Sequence, residues 1–209
     1  ISMYQYAKMV EKGEGCSVDL KESAKYYKMA ADLGHLDAIC SCGYIFLEGI
    51  GFPVDVEAAF YYFKTAAYQG HVPSMCKYAE MKRIGKGCSV DLKESAKYYK
   101  MVADKGSVEA MFNYGLMLLN GYGTQVNLEE AAKYFKKAAD QGFTKAMHNY
   151  ACRLYKGEGV ALNKEEAIRY FKNAADKGSV ISMYQYASMV AEGEGCSVDL
   201  KESAKYYKM

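Results

Sequence analysis

The sequence predicts an all-α solenoid, a stack of about six antiparallel helix pairs that repeats every 36 residues. The string GCSVDLKESAKYYKM occurs three times, at Gly15–Met29, Gly87–Met101 and Gly195–Met209, with offsets of 72 and 108 residues that are multiples of 36. Single glycines recur at the same interval, at Gly34, Gly70, Gly106, Gly142 and Gly178. Between these glycines the apolar residues recur three and four positions apart, which indicates amphipathic helices. A fixed period of this length is typical of an array of small repeats rather than one globular core.

The first helix of each repeat, called helix A, is predicted at Leu36–Glu48 in the second repeat. One position within the repeat, here called a slot, always holds a small residue of helix A, so that another helix can approach: Ala38, Ser74, Ala110, Ala146 and Ser182. A second slot holds tyrosine, with Cys42 as the exception: Tyr6, Tyr78, Tyr114, Tyr150 and Tyr186. A Gly-x-Gly triplet follows each helix A, and glycine is the usual residue at a helix C-terminus.

The second helix of each repeat, helix B, begins at a residue suited to N-capping: Asp19, Asp55, Asp91, Asn127, Asn163 or Asp199. Glutamate follows three residues later in every repeat except at Ala58, which is the spacing of a capping box. Helix B then carries an aromatic pair: Tyr26–Tyr27, Tyr62–Phe63, Tyr98–Tyr99, Tyr134–Phe135, Tyr170–Phe171 and Tyr206–Tyr207. We expect these pairs and the small slots to form the packing within and between repeats.

The combined pattern A-x-x-x-Y-[GA], G-x-G, [DN]-x-x-E-[AS]-[AI]-x-Y-[YF]-K and A-A-D-x-G resembles the Sel-1-like repeat, a relative of the tetratricopeptide repeat. The resemblance covers the whole chain. It implies a right-handed superhelix of antiparallel helix pairs and a role as an adaptor that holds other proteins together. Some members of the family carry such repeats beside a kinase-like domain.

We interpret the chain as a single repeat array, with repeats at about 1–34, 35–70, 71–106, 107–142, 143–178 and 179–209. The first residue falls inside a helix A and the last inside a helix B. We therefore expect an excerpt of a longer protein, whose uncapped end faces would associate end to end if the excerpt existed alone.

The net charge of +2 gives no bias toward nucleic acid or an anionic membrane. Lysines after the aromatic pairs predict a solvated basic ridge on helix B rather than a nucleic-acid track, because we expect no repeat to expose paired aromatic rings for base stacking. No apolar run approaches the roughly 18 residues that span a bilayer. The seven cysteines follow no regular pairing, which favours free thiols in a reducing, cytoplasmic setting, although a signal could precede the first residue.

The sequence predicts no catalytic residue, metal site or cofactor. His35, His71 and His148 form no zinc motif. Ser74 and Lys77 match the Ser-x-x-Lys pattern, but its partner motifs are absent and Ser74 occupies the small slot of helix A. The Gly-x-Gly triplets lie between two helices and follow no strand, which excludes the usual phosphate-binding loops.

A partner is expected to bind helix A, which the resemblance places on the concave face of the superhelix. The positions 3, 6, 7 and 10 residues after each repeat glycine vary between copies, whereas the packing slots do not. The predicted partner-binding residues are Tyr44, Lys77, Phe112, Asn113, Leu116, Lys145, His148, Asn149 and Tyr184. Phe112 and Leu116 are predicted as an exposed apolar pair, and Asn113 and Asn149 as amides that hold a peptide backbone.

The predicted function is therefore a scaffold or adaptor that presents a concave groove to a protein or peptide. Two alternatives stay open at this point. The variable positions could be neutral changes on a solvated face. The array could also be the regulatory region of a larger enzyme, such as a kinase-like protein, whose catalytic domain lies outside this segment.

Overall fold

The structure, a computed structural model, describes residues 2–208, and these residues form twelve α-helices and no strand. The all-α solenoid prediction is confirmed. Helices A carry odd numbers and helices B even numbers, in the order α1 Met3–Lys12, α2 Leu20–Asp32, α3 Leu36–Glu48, α4 Val56–Tyr68, α5 Val72–Ile84, α6 Leu92–Asp104, α7 Val108–Asn120, α8 Leu128–Asp140, α9 Thr144–Lys156, α10 Lys164–Asp176, α11 Val180–Glu192 and α12 Leu200–Tyr207.

Helix B begins where the sequence predicts, but the capping box is only half formed. In α12 the side chain of Asp199 accepts a hydrogen bond from the backbone N–H of Glu202 at 2.9 Å. The backbone N–H of Asp199 donates to the carbonyl of Val190 at the end of helix A. The Glu202 carboxylate accepts instead from the hydroxyl of Tyr186 and the ammonium of Lys172, each at 2.7 Å. In α12, Glu202 therefore ties helix B to helix A and to the preceding helix B, whereas in α8 the Glu130 carboxylate accepts from the side chain of its own N-cap, Asn127, at 3.4 Å.

The core of each repeat lies between its own two helices. The second ring of the aromatic pair is buried in the first five repeats, as at Phe135 (0% exposed), whereas Tyr207 in the last repeat is 51% exposed. Helix A makes room for this ring with glycine or alanine. A Cβ placed on Gly115 would lie 2.8 Å from the ring of Phe135, so this close approach requires glycine.

The first ring of the aromatic pair joins successive repeats. The hydroxyl of Tyr170 donates to the carboxylate of Asp140, at the end of the preceding helix B, at 2.6 Å. Tyr134 and Asp104 make the same contact at 2.9 Å. Backbone packing adds to it, because a Cβ on Gly159 would overlap the carbonyl of Leu128 in the preceding repeat. These contacts recur with the 36-residue period, as stacked repeats require.

The helices group into two compact units that divide between Tyr99 and Lys100, within α6. In residues 2–208, no helix combines the length and the apolar content needed to cross a membrane. No disulfide joins any of the seven cysteines, all of which lie within the described residues.

Candidate functional site

In the first compact unit, the predicted binding residues Tyr44 and Lys77 lie on adjacent helices A. The ring of Tyr44 is 38% exposed and packs edge-on against Phe63, with centroids 5.0 Å apart. The ammonium of Lys77 lies 5.9 Å from the centre of the Tyr44 ring and 2.9 Å from the Glu80 carboxylate. Lys77 therefore contributes packing between α3 and α5 as well as a surface charge.

In the second compact unit, the other predicted residues lie on three successive helices A. We call this set the helix-A surface: Phe112, Asn113 and Leu116 on α7, Lys145, His148 and Asn149 on α9, and Tyr184 on α11. Lys145 and Tyr184 are exposed, and Tyr184 is 61% accessible. The other five are partly buried.

The prediction of an exposed apolar pair at Phe112 and Leu116 is wrong. Both side chains are half-buried. The ring of Phe112 lies 5.9 Å from that of Phe135 on its own helix B, and 5.3 Å from that of Phe143. Phe143 belongs to the turn that leads into the next helix A. The sequence of one repeat therefore does not reveal that the ring of Phe143 covers Phe112. Phe112 is thus mainly a packing residue.

His148 links successive helices A. Its Nδ1 lies 2.9 Å from the hydroxyl of Ser182 on α11, and its Nε2 lies 3.5 Å from the thiol sulfur of Cys152. Burial lowers the pKa of His148 and raises the pKa of Cys152. Both side chains are therefore neutral near pH 7, which suits a packing link better than a reactive thiolate.

The amide of Asn149 is partly used within its own helix. Its Nδ2 donates to the backbone carbonyl of Lys145 at 2.9 Å, which leaves less of the side chain to hold a peptide than the sequence predicted. Tyr184 packs edge-on against Tyr207, with centroids 5.7 Å apart, and keeps most of its ring accessible. Lys145 and Tyr184 are the predicted residues with the most surface to offer a partner.

Ser74 forms a chain of hydrogen bonds that resembles a catalytic triad in its residue types. Its hydroxyl lies 2.8 Å from Nδ1 of His71, whose Nε2 lies 3.1 Å from the Asp37 carboxylate. Ser74 is fully buried, however, at 0% exposure. A nucleophile must reach the substrate, so these hydrogen bonds join α3 to α5 rather than performing catalysis. Among residues 2–208, no group of three or more histidine, cysteine or acidic side chains could hold a metal ion.

The expectation that no repeat exposes paired aromatic rings is wrong for the last repeat, where Tyr184 and Tyr207 are 61% and 51% exposed, and for α4. Tyr61 is 65% exposed and Tyr68 is 58% exposed on the outer side of this helix B. The corresponding slots hold lysine or arginine and aspartate in the other repeats that include them. Comparing the six copies slot by slot would have revealed both tyrosines from the sequence alone.

The Sel1 repeat profile matches the chain six times, at residues 1–35, 36–71, 72–107, 108–143, 144–179 and 180–209. The chain belongs to the Sel1 repeat family. Sel1 repeat proteins are generally protein-interaction scaffolds of the tetratricopeptide-like class. A search of curated proteins found no match to the chain.

Solved structures show the same Sel1 fold. The chain superposes with a TM-score of 0.94 and 24% identity on a protective antigen of uropathogenic Escherichia coli strains that displays an SLR fold. This match covers 99% of the chain but only 44% of the antigen. A Sel1 repeat protein from Oxalobacter formigenes is 27% identical, with a TM-score of 0.85 over 99% of the chain and 85% of that protein. An immunity protein from Pseudomonas aeruginosa is 18% identical, with a TM-score of 0.53 over 99% of the chain and 78% of that protein.

Proposed function

We propose that this chain is a protein-interaction module that binds a peptide or an extended protein segment across the helix-A surface. The general role of Sel1 repeat proteins as interaction scaffolds supports this assignment. The buried, recurrent packing slots leave the outward side chains of helix A free to differ between repeats without loss of the fold.

The observation that carries the proposal is the contrast in chemistry along the helix-A surface. Successive helices A offer a half-buried ring at Phe112, an exposed cation at Lys145 and an exposed ring at Tyr184. Directly packed helices lie about 10 Å apart, and successive helices A are separated by at least this distance, so three of them span at least about 20 Å. An extended segment advances about 3.3 Å per residue, and about six or more residues would cross this surface.

Peptides selected from a random library on the immobilised full chain, then titrated in solution, test the assignment. Lys145→Glu and Tyr184→Ser change accessible side chains, and we expect each to weaken binding of the selected peptides about tenfold, as loss of a central contact does. Phe112→Ala is a poorer probe because Phe112 packs against Phe135 and Phe143.

The matched control is Lys133→Glu, which reverses a charge on the exposed outer side of helix α8. It should leave the affinity unchanged, and circular dichroism should show equal helicity in all variants. Selected peptides that bind the Lys145→Glu and Tyr184→Ser variants as tightly as the unchanged chain would show that the helix-A surface is not the binding site.

A further inference from the structure

Helix α4 differs from the other helices B on the face turned to solvent. The outer slots of helix B repeat every 36 residues, so each copy serves as a control for the others. The slot of Tyr61 holds Lys25, Lys97, Lys133, Arg169 and Lys205 in the other repeats. The slot of Tyr68 holds Asp32, Asp104, Asp140 and Asp176. In α4 alone among these helices, both slots are aromatic.

The two rings lie on one side of α4 and are accessible. Tyr61 and Tyr68 are seven residues apart, which is two helical turns or about 10.5 Å. Their exposed fractions are 65% and 58%. Lys64 lies between them, and its ammonium is 5.4 Å from the centre of the Tyr68 ring. An exposed pair of large side chains on one helix face is a common feature of recognition surfaces.

The helices B on both sides of α4 carry exposed lysines in their outer slots. On one side, Tyr68 of α4 stacks on Tyr98 of α6, with centroids 6.3 Å apart. On the other side, Tyr62 of α4 packs against the buried cluster that includes Ala30 and Ala31 of α2. The outer slots of these neighbours are exposed lysines: Lys21, Lys25 and Lys28 on α2, and Lys93 and Lys97 on α6.

The local charge is more positive than that of the chain. With Lys64, the outer slots of α2, α4 and α6 up to Lys97 hold six lysines against two acids, Asp32 and Glu57. Glu94, which accepts a hydrogen bond from the Tyr68 hydroxyl at 3.5 Å, brings the balance to +3. The whole chain has a net charge of +2. We call this region the α4 surface: Tyr61, Lys64 and Tyr68 with the five neighbouring lysines.

We propose that the α4 surface is a second docking site, which binds an acidic amphipathic helix of a partner protein. Leucine-type side chains seven residues apart on the partner helix would rest on Tyr61 and Tyr68, because both helices share the same rise per turn. Glutamates beside that apolar stripe would face the lysine rows of α2 and α6. This site lies on helix B and is independent of the helix-A surface.

A single-stranded nucleic acid fits the α4 surface less well. Such a ligand needs open ring faces on which successive bases stack. Lys64 and the ring of Tyr98 already lie against Tyr68, whereas Tyr61 makes an edge contact with Tyr62 at 6.2 Å. Tyr68 also packs edge-on against Tyr78, with centroids 5.9 Å apart. Partly covered rings beside exposed lysines favour carboxylates and aliphatic groups over a run of stacked bases.

The test is a fluorescence titration of the full chain with a labelled helical peptide of glutamate and leucine, with the leucines at helical spacing. Tyr61→Lys restores the residue of the other repeats, so it preserves the fold, and it adds a positive charge. Attraction by charge alone predicts tighter binding of this variant. The α4 surface predicts binding about tenfold weaker, because an aromatic contact is lost. Lys133→Ala, in the same slot of α8, is the control and should not change the affinity.

Two further probes decide the chemistry of the ligand. A peptide with glutamine in place of glutamate should bind about tenfold more weakly than the glutamate peptide, and Lys97→Glu should weaken the glutamate peptide similarly. Equal affinities for the two peptides, or binding unaffected by Tyr61→Lys, would overturn the proposal. The proposal would also be overturned if oligothymidine bound more tightly than the glutamate peptide and lost affinity in the Tyr61→Lys variant, because that result assigns the surface to nucleic acid. Lys145→Glu on the helix-A surface should leave this titration unchanged, so the two sites succeed or fail separately.

Discussion

At the residue scale, glycine in the interior of helix A allows a close approach of the helix-B ring in two repeats. Gly43 and Gly115 face Phe63 and Phe135, and a Cβ on either glycine would approach the ring to within 2.8 Å or less. Both rings are fully buried. The close approach of the helices, rather than backbone conformation, explains glycine in these two helix interiors.

Gly115→Ala tests this explanation through the sign of its effect. Alanine favours a helix by about 1 kcal/mol over glycine, whereas overpacking a core costs about 1–3 kcal/mol. We expect the free energy of unfolding to fall by about 1 kcal/mol in urea titrations. The reciprocal control, Ala151→Gly, should also destabilise the chain because it removes a methyl group and lowers helix propensity. A Gly115→Ala protein more stable than the unchanged chain would contradict the packing account.

The contact between Tyr170 and Asp140 makes stability depend on pH. Burial and then the hydrogen bond to Asp140 raise the pKa of Tyr170 to about 12. The folded chain thus holds this proton more tightly than the unfolded chain, whose tyrosines titrate near 10. The stabilisation is complete below about pH 10 and is lost as the pH rises through about 12. Urea titrations should show a smaller alkaline loss of stability in Tyr170→Phe than in the unchanged chain. Equal alkaline losses of stability in Tyr170→Phe and in the unchanged chain would show that the Tyr170 hydroxyl does not couple the repeats.

At the element scale, the starts of the helices B and the ends of the helices A follow from local capping residues. Asn163 Oδ1 accepts from the backbone N–H of Glu166 at 2.9 Å and starts α10. Gly157, with a φ of 69°, adopts the left-handed conformation that ends α9. Because each cap is made by residues within a few positions of one another, the sequence of a single repeat suffices to predict the helix bounds.

Substitution of the N-cap measures this local contribution. Asn163→Ala should lower the free energy of unfolding by about 1 kcal/mol, because the N–H groups at the start of α10 lose their side-chain acceptor. Asn163→Asp keeps an acceptor and adds a favourable charge at the helix N-terminus, so its stability should be unchanged or slightly higher. If Asn163→Ala proves neutral in the same urea titrations, the side-chain cap does not contribute to the stability of α10.

What the sequence could not predict depends on contacts beyond one repeat. The helix pairs and the small slots were predicted correctly because their signals recur locally. The burial of Phe112 was not, because Phe143 approaches from the following turn. The glutamate after the N-cap was assigned to a capping box, but Glu202 is bound by Lys172 of the preceding helix B. The accessible rings of Tyr61 and Tyr68 were also missed, although their departure from the repeat pattern is visible in the sequence.

At the scale of the whole molecule, stability is expected to reside in contacts that each repeat makes with its neighbours. Tyr134, Tyr170 and Tyr206 each donate to an aspartate at the end of the preceding helix B. Because the same contact is available in each of these repeats, one complete repeat can be removed and its neighbours can still meet. After removal of residues 144–179, Tyr206 would find Asp140 in place of Asp176.

Circular dichroism with urea unfolding of this deletion is the most direct test of the repeat account. We predict that the chain lacking residues 144–179 keeps its helical content per residue and unfolds cooperatively at a lower urea concentration. A deletion of residues 144–161, which removes helix α9 but retains helix α10, should lose more helix because α10 then has no partner. If removal of the complete repeat abolished the helical signal as strongly as removal of the half repeat, the chain would depend on a single core rather than on stacked repeats.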